Sequence, residues 1–258
     1  VKVIQKVKPD EVYHLAAQGV DGHSFNNEFY TFKNNINTTH IIVSAIKNFD
    51  TKIKFFFAGS SEMYGNITKF PQDEGAIFDP VSAYGISKLT SFHLVKSYRQ
   101  NFNFMGSSAI LFNHESPRRD MYFVTRKISN GVAQIKKGII KKITLGNVNS
   151  SRDWGHAKDY VNAMWLMLQK DKPDDYVIST GKKHTVLECA EIAFKYVGLN
   201  HLDFINIDKN LVRNVESDNR VANSAKAINN LNWKQQYSFE DLVCDMVDSD
   251  LQLIEKKN

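Results

Sequence analysis

The chain has 258 residues, of which 42% are hydrophobic and 24% charged, a composition typical of a globular protein rather than a disordered one. No apolar run approaches the roughly 18 residues needed to cross a bilayer, and Cys189 and Cys244 are too few and too far apart for a disulfide framework or a zinc site. We therefore expect no membrane, no metal and a cytoplasmic location. The net charge of +5 comes from dispersed lysines, which disfavours nucleic-acid binding.

Strand-like and helix-like segments alternate along the chain. The expected strands are 11–17, 54–59, 106–112, 143–145 and 176–180. The expected helices are 1–8, 34–48, 82–102, 123–137, 157–168, 185–197 and 238–253, the last with Ser238 as its N-cap. We expect a polar loop over 70–80, a turn over 151–156 and irregular structure over 205–223. The alternation predicts an α/β fold with a parallel sheet.

Polar side chains directly follow the second expected strand. Ser60 and Glu62 come after the apolar run that ends at Gly59. Ligands of open parallel sheets lie beyond the carboxyl ends of the strands, so these two side chains are expected beside a ligand. The alternative is that the hydroxyl belongs to a turn and that the carboxylate only caps backbone amides.

Tyr84 and Lys88 are four residues apart and share one face of the expected helix. A lysine ammonium beside a tyrosine hydroxyl favours the phenolate and lowers its pKa from about 10, which produces a base for a sugar hydroxyl. No other of the ten tyrosines has a lysine four residues later. An ordinary surface pair is the alternative, but with Ser60 and Glu62 upstream the pattern resembles the active site of extended short-chain dehydrogenase/reductases.

Motifs along nearly the whole chain resemble the GDP-mannose 4,6-dehydratase family. They are His14-Leu15-Ala16-Ala17-Gln18 and the segments 60–65, 84–88, 111–119, 123–128, 152–161, 163–169 and 231–234. The resemblance implies a Rossmann-type, doubly wound parallel sheet with a smaller C-terminal α/β substrate domain. It places the NADP-binding domain at 1–112 and 153–181, and the nucleotide-sugar-binding domain at 113–152 and 182–258.

The resemblance also implies a reaction, the conversion of GDP-mannose to GDP-4-keto-6-deoxymannose. C4 is oxidised, water is eliminated across C5 and C6, and the hydride returns to C6. Tyr84 would take the O4 proton, Lys88 would lower the pKa of the tyrosine and contact the nicotinamide ribose, and Ser60 would bond O4 where the family has threonine. Glu62 would remove the C5 proton and pass it to the departing C6 hydroxyl.

Further residues match binding positions of the family. The NADP-contacting positions are Leu15, Ala16, Ala17, Tyr30, Tyr84, Lys88, His114 and Arg119. The positions that hold the GDP moiety are Asn113, Lys127, Arg152, Arg213 and Glu216. For Arg213 and Glu216, surface salt bridges are the alternative, because Asn214 stands where the family has proline. In the family, the loop here at 116–119 can reach a neighbouring subunit's NADP, which implies a homodimer or homotetramer.

The chain departs from the family in two ways. The Gly-x-x-Gly-x-x-Gly turn that places the cofactor pyrophosphate on a helix N-terminus is absent. We therefore expect the N-terminal part of the sheet, on the order of 60 residues, in a longer protein. We expect the chain alone to fold poorly and to show no turnover, and an inactive remnant is the alternative.

The second departure concerns the sugar. Glycine stands at 19 and 59 where the family has serine, Ala83 replaces a proline, and Asp120 replaces a glycine. These changes leave a GDP-manno-heptose open as the substrate. Other epimerases and dehydratases of the superfamily are the remaining enzyme alternatives, and they would lack Glu62 or bind UDP or dTDP in place of GDP.

Overall fold

The computed structural model describes residues 2–19, 27–66, 70–211 and 221–256. Its α-helices in these ranges are α1 (Lys2–Val7), α2 (Glu28–Phe49), α3 (Ala83–Phe102), α4 (Val124–Lys136), α5 (Ala157–Leu168), α6 (Val186–Tyr196), α7 (Ala225–Leu231) and α8 (Phe239–Glu255). Its strands there are β1 (Glu11–His14), β2 (Lys54–Ala58), β3 (Gly106–Leu111), β4 (Asn113–Glu115), β5 (Ile143–Leu145), β6 (Ser151–Arg152), β7 (Trp154–His156), β8 (Asp175–Ile178), β9 (His184–Thr185) and β10 (Ile205–Ile207). Within the part of the chain that is described, no helix has both the length and the apolar character needed to cross a bilayer.

The chain forms two compact units. The first comprises Val1–Phe112, Val161–Ile178 and Ala222–Trp233, and the second comprises Asn113–Tyr160, Ser179–Val221 and Lys234–Asn258. The sequence-based division shares the break after Phe112, but it places 153–160, 179–181 and 222–233 in the other domain. The assignment of one domain to the cofactor and the other to the sugar nucleotide stays a prediction.

The first unit is built on a parallel sheet with the strand order β1-β2-β3-β8. Phe55, Phe56 and Phe57 of β2 are each at most 1% exposed, as expected for a parallel strand that is covered on both faces. Helices α2 and α3 pack against each other, and their apolar side chains join the phenylalanines of β2 in one core. The parallel α/β architecture predicted from the sequence is confirmed.

Strand β1 lies at an edge of this sheet in the described part of the chain. It pairs there with β2 alone, with His14 opposite Phe57. Tyr13 is 38% exposed, although parallel strands are usually buried on both faces. Among the described residues, β1 therefore presents one edge without a strand partner.

The second unit contains three short strand pairs and helices α4, α6 and α8. Strands β4 and β7 are parallel, as are β5 and β10, whereas β6 and β9 are antiparallel. Apolar side chains of the three helices and of β5 form one core. Helices α4 and α8 are joined by a buried ion pair between Arg126 and Asp250, and Asp250 also accepts a hydrogen bond from Ser129 at 2.7 Å.

Two predictions of local structure are wrong. The turn expected at 151–156 contains β6 and β7, and the irregular stretch expected at 205–223 contains β10. These strands have two or three residues each, too few to show a period, and their pairing partners lie far away in the chain. The N-cap at Ser238 is confirmed, since its hydroxyl accepts a hydrogen bond from Asp241 N as part of a capping box.

Candidate active site

The loop after β2 contains the first two predicted catalytic residues. Ser60 is 9% exposed and is the N-cap of a short 3-10 turn over Ser61–Met63. Its Oγ accepts a hydrogen bond of 3.2 Å from Glu62 N. Sequence reasoning left open whether this hydroxyl belongs to a turn. The hydroxyl does belong to a turn, and its hydrogen bond with Glu62 N orients the start of that turn.

The first two turns of α3 contain the other two catalytic candidates. Ser82 caps the helix by accepting a 3.0 Å hydrogen bond from Gly85 N. The Lys88 ammonium is 4% exposed, donates to Ala58 O at 2.7 Å and lies 5.7 Å from the centroid of the Tyr84 ring. Burial lowers the pKa of the Lys88 ammonium to about 8. The cation is thus fixed beside the tyrosine, as the four-residue spacing predicted.

Two contacts join the first turn of α3 to the end of β2. The Lys88–Ala58 hydrogen bond is one. The other is a close backbone approach, since a Cβ added at Gly85 would lie 2.7 Å from the carbonyl oxygen of Glu62. Only glycine permits this approach without a shift of the backbone. The structure therefore brings the backbone segments of all four predicted catalytic residues together.

The loop after β1 contains the predicted cofactor contacts Leu15, Ala16 and Ala17, which are all exposed. Tyr30, in the first turn of α2, is 60% exposed. Small, exposed residues at the carboxyl end of a parallel strand allow a ligand to approach the backbone. The cofactor contacts at these residues stay a prediction.

A buried amide missed by sequence reasoning ties this loop to α3. Asn35 of α2 accepts a hydrogen bond from Gln18 N at 2.8 Å, and its Nδ2 donates to Gln18 O at 3.3 Å and to Ser87 Oγ at 2.9 Å. Ser87 Oγ in turn donates to Tyr84 O at 2.8 Å. Asn35 shares its buried face with Thr31 and Thr39, four residues to either side, so the apolar spacing of the helix gave no signal for it.

In the second unit, the pairing of β4 with β7 brings two predicted GDP contacts near each other in space. Asn113 of β4 lies opposite Trp154 of β7, two residues after Arg152. Arg152 itself lies opposite His184 in the antiparallel β6–β9 pair and donates from its Nη1 to Ser151 O at 2.7 Å. Sequence reasoning named Asn113 and Arg152 separately, and only the pairing of β4 with β7 shows that they are neighbours.

The side chain of His114, in strand β4, is held by stacking on another aromatic ring. Its ring lies 4.8 Å from that of Tyr160, with the two planes at 23°. Gly155 is opposite His114, and a Cβ there would lie 2.4 Å from the Tyr160 ring. Glycine at this position therefore permits the close packing of Tyr160 beneath β4 and β7.

Arg119 is anchored within its own unit. Its Nε lies 3.0 Å from Glu115 Oε2, and its guanidinium lies 3.4 Å from the centroid of the Phe123 ring. Glu115 is 2% exposed and also accepts a hydrogen bond from Thr125 Oγ1 at 2.8 Å. Burial raises the pKa of the Glu115 carboxyl, against the attraction of the guanidinium. A fixed cation of this kind suits a phosphate.

The remaining predicted contacts are less defined. Lys127 is exposed on α4. Arg213 and Glu216 lie outside the described residues. Among the described residues, no group of three His, Cys, Asp or Glu side chains is arranged to hold a metal ion.

The solved structures that resemble this chain share its fold. RMD from Pseudomonas aeruginosa, complexed with NADPH, superposes with a TM-score of 0.88 at 22% identity over 95% of this chain and 82% of that one. The dTDP-glucose 4,6-dehydratase from Bacillus anthracis, in complex with NAD, gives 0.84 at 20% identity over 98% and 76%. Both likenesses establish the Rossmann-type α/β architecture.

The sequence comparisons are more specific. GDP-mannose 4,6 dehydratase 1 from Arabidopsis thaliana is 46% identical over 255 residues, which cover 97% of this chain and 70% of that protein. The human GDP-mannose 4,6 dehydratase is 40% identical over 273 residues, covering 98% and 73%. The family profile for GDP-mannose 4,6 dehydratase matches residues 1–246. The chain therefore belongs to the GDP-mannose 4,6-dehydratase family.

Proposed function

We propose that this chain supplies the catalytic and substrate-binding groups for the 4,6-dehydration of GDP-mannose. The observation that carries the proposal is the contact between the Ser60–Glu62 loop and the first turn of α3. Gly85 and Lys88 hold that contact through the carbonyl oxygens of Glu62 and Ala58. The family membership of the chain supplies the sugar nucleotide.

Tyr84 takes the proton from O4 of the mannose ring. The Lys88 ammonium beside its ring favours the phenolate, because a neighbouring positive charge stabilises the charged form. The hydrogen bond to Ala58 O prevents the ammonium from turning towards solvent. Ser60 bonds O4 from the adjacent loop.

Glu62 then removes the proton from C5, which the C4 ketone has made acidic, and delivers it to the departing C6 hydroxyl. One carboxylate serves both transfers because it gives the C6 hydroxyl the proton that it took from C5, and the proton that Tyr84 took from O4 is then available for C5 when the hydride returns to C6. The half-buried position of Glu62, beside the first turn of α3, suits a group that must exchange protons with a bound sugar.

A nicotinamide cofactor, which we propose to be NADP, accepts the C4 hydride and returns it to C6 when bound. The exposed loop with Leu15, Ala16 and Ala17, together with Tyr30, would hold it. His114 and Arg119 would contact it as well. The solved structures of similar fold are complexed with NADPH or NAD, which supports this class of cofactor.

Asn113, Lys127 and Arg152 would bind the GDP moiety. An arginine gives bidentate contacts to a diphosphate and a lysine gives a point charge, so the two cations complement its negative charge. Arg213 and Glu216, outside the described residues, are proposed to complete the site. We also propose a homodimer or homotetramer, in which the 116–119 loop reaches the cofactor of a neighbouring subunit.

The test is an assay for a 4-keto product by NMR, with NADP and either GDP-mannose or a GDP-manno-heptose. It is run on the chain alone and on the chain joined to the part of the Arabidopsis relative that it does not cover. We expect product from GDP-mannose in the joined form. Glu62→Gln should lower the rate by about a hundredfold or more. The control is Glu28→Gln, at an exposed carboxylate of α2. Equal rates for the two variants would refute the role of Glu62.

A further inference from the structure

Asp153 is a buried carboxylate whose two oxygens are both occupied. It is 2% exposed. Its Oδ1 accepts hydrogen bonds from Thr180 N at 3.0 Å and Thr180 Oγ1 at 2.7 Å, and its Oδ2 accepts one from Gly181 N at 2.8 Å. A buried charge is costly unless donors of this kind compensate it. The carboxylate thus ties the turn at Thr180–Gly181 to the segment that joins β6 and β7.

Asp153 lies in the chain between two strands that position proposed ligand contacts, so its hydrogen bonds affect those contacts. Arg152, the preceding residue, is the last residue of β6 and pairs with His184 of β9. Trp154, the following residue, begins β7 and pairs with Asn113 of β4. One carboxylate therefore fixes the junction between the two strand pairs that contain the proposed GDP contacts.

The turn that Asp153 holds also leads directly into β9. Gly181 has φ +72°, a left-handed conformation that favours glycine. Thr180 Oγ1 accepts a further hydrogen bond from Lys182 N at 3.2 Å. Loss of the carboxylate would release both strands of the β6–β9 pair at the Arg152–His184 end, because the turn and the β6 segment would lose the same anchor.

We propose that Asp153 is a positioning residue for the diphosphate of the sugar nucleotide. It acts by fixing Arg152 and, through the pairing of β7 with β4, Asn113. The inference rests on the proposed function, since it takes Arg152 as a diphosphate contact. The carboxylate touches no substrate itself, because its oxygens are engaged with Thr180 and Gly181.

The test measures the binding of GDP by titration calorimetry with the chain in the joined form, because the chain alone is expected to fold poorly. Asp153→Asn keeps the shape of the side chain but directs an NH2 group at a backbone N–H, so one buried donor loses its acceptor. We expect the Kd for GDP to rise about tenfold. Thr180→Val keeps the carboxylate, removes the 2.7 Å hydrogen bond to it together with the 3.2 Å bond from Lys182 N, and should raise the Kd about threefold. It provides the measurement if Asp153→Asn does not fold.

The matched control is Asp159→Asn. Asp159 is also 2% exposed and accepts hydrogen bonds from two backbone amides, Gln236 N at 3.1 Å and Tyr237 N at 3.2 Å. It lies in the same unit but is not next to a proposed ligand contact. We expect its variant to lose a similar amount of thermal stability while its Kd for GDP stays within about twofold of the wild type.

A double-mutant cycle separates positioning from general destabilisation. If Asp153 acts through Arg152, then Asp153→Asn should weaken GDP binding little further once Arg152→Ala is present. Equal effects of the Asp153 and Asp159 variants, or fully additive effects in the cycle, would overturn the inference. A wild-type joined protein that folds and binds no GDP would instead refute the proposed function, and the inference with it.

Discussion

Replacement of Lys88 by methionine should make the protein more stable and inactive at once. Lys88 is almost fully buried, and among the described residues its ammonium donates a hydrogen bond to Ala58 O. Burial lowers the pKa of this ammonium from an ordinary value of 10.5 to about 8. Such a shift means that the folded state disfavours the charged form that catalysis requires.

The size of the expected change in unfolding free energy follows from the shift of the Lys88 pKa. A fall from 10.5 to about 8 corresponds to about 3 kcal/mol of folding free energy. Methionine has a similar length and no charge, so it removes this cost. The Ala58 carbonyl loses its donor, which costs about 1 kcal/mol. We therefore expect Lys88→Met to raise the free energy of unfolding by about 2 kcal/mol at pH 7.

The stability gained by Lys88→Met should decrease as the pH rises. Below pH 8, Lys88 is charged in both the folded and the unfolded chain, so the wild type bears the full cost. Between pH 8 and 10.5 the unfolded chain keeps a proton that the folded chain has lost, so the wild type becomes more stable as the pH rises. The advantage of the variant should therefore shrink over this interval.

Urea unfolding at pH 7 and pH 10 measures both effects. Lys96→Met, at an exposed lysine of the same helix, is the control and should stay within about 0.5 kcal/mol of the wild type. Product formation by Lys88→Met should fall about a hundredfold or more, because Tyr84 loses its neighbouring cation. A variant that is less stable than the wild type at pH 7, or whose advantage does not change with pH, would refute the reasoning.

Three further predictions concern stability. Burial lowers the pKa of the His14 imidazole to about 4, so the unfolded chain binds the extra proton between pH 6.5 and 4. Stability should fall by about 2 kcal/mol over that interval, and His14→Gln should flatten the loss in urea titrations at stepped pH. Gly59→Ser should cost about 1–3 kcal/mol in thermal unfolding, because a Cβ there lies 2.6 Å from a carbonyl oxygen of β3. Gly19→Ser, with nothing within 4 Å, should be neutral. Asp250→Ala leaves the Arg126 guanidinium buried without its carboxylate and should cost about 3–5 kcal/mol in urea unfolding. A loss below 1 kcal/mol would contradict this.

The pattern of the sequence was sufficient for features that depend on local spacing. The four-residue interval of Tyr84 and Lys88 predicted a shared helix face, and the structure places the ammonium 5.7 Å from the ring. The apolar run before Ser60 predicted a buried strand followed by a polar loop, and β2 ends at Ala58 before the Ser61–Met63 turn. Both inferences succeed because helix and strand periods are set by backbone geometry within a few residues.

Tertiary structure alone decided the contacts between distant segments. The clamp of Asp153 on Thr180, the bond of Asn35 to Ser87 and the pairing of β10 with β5 each join residues far apart in the chain. No local period encodes such a pairing, because it depends on how several elements pack at once. The sequence by itself determined which chemical groups this protein has and on which elements they lie. The fold determined which buried polar side chains hold those groups in place, since a buried donor or acceptor is stable only where packing brings it a partner.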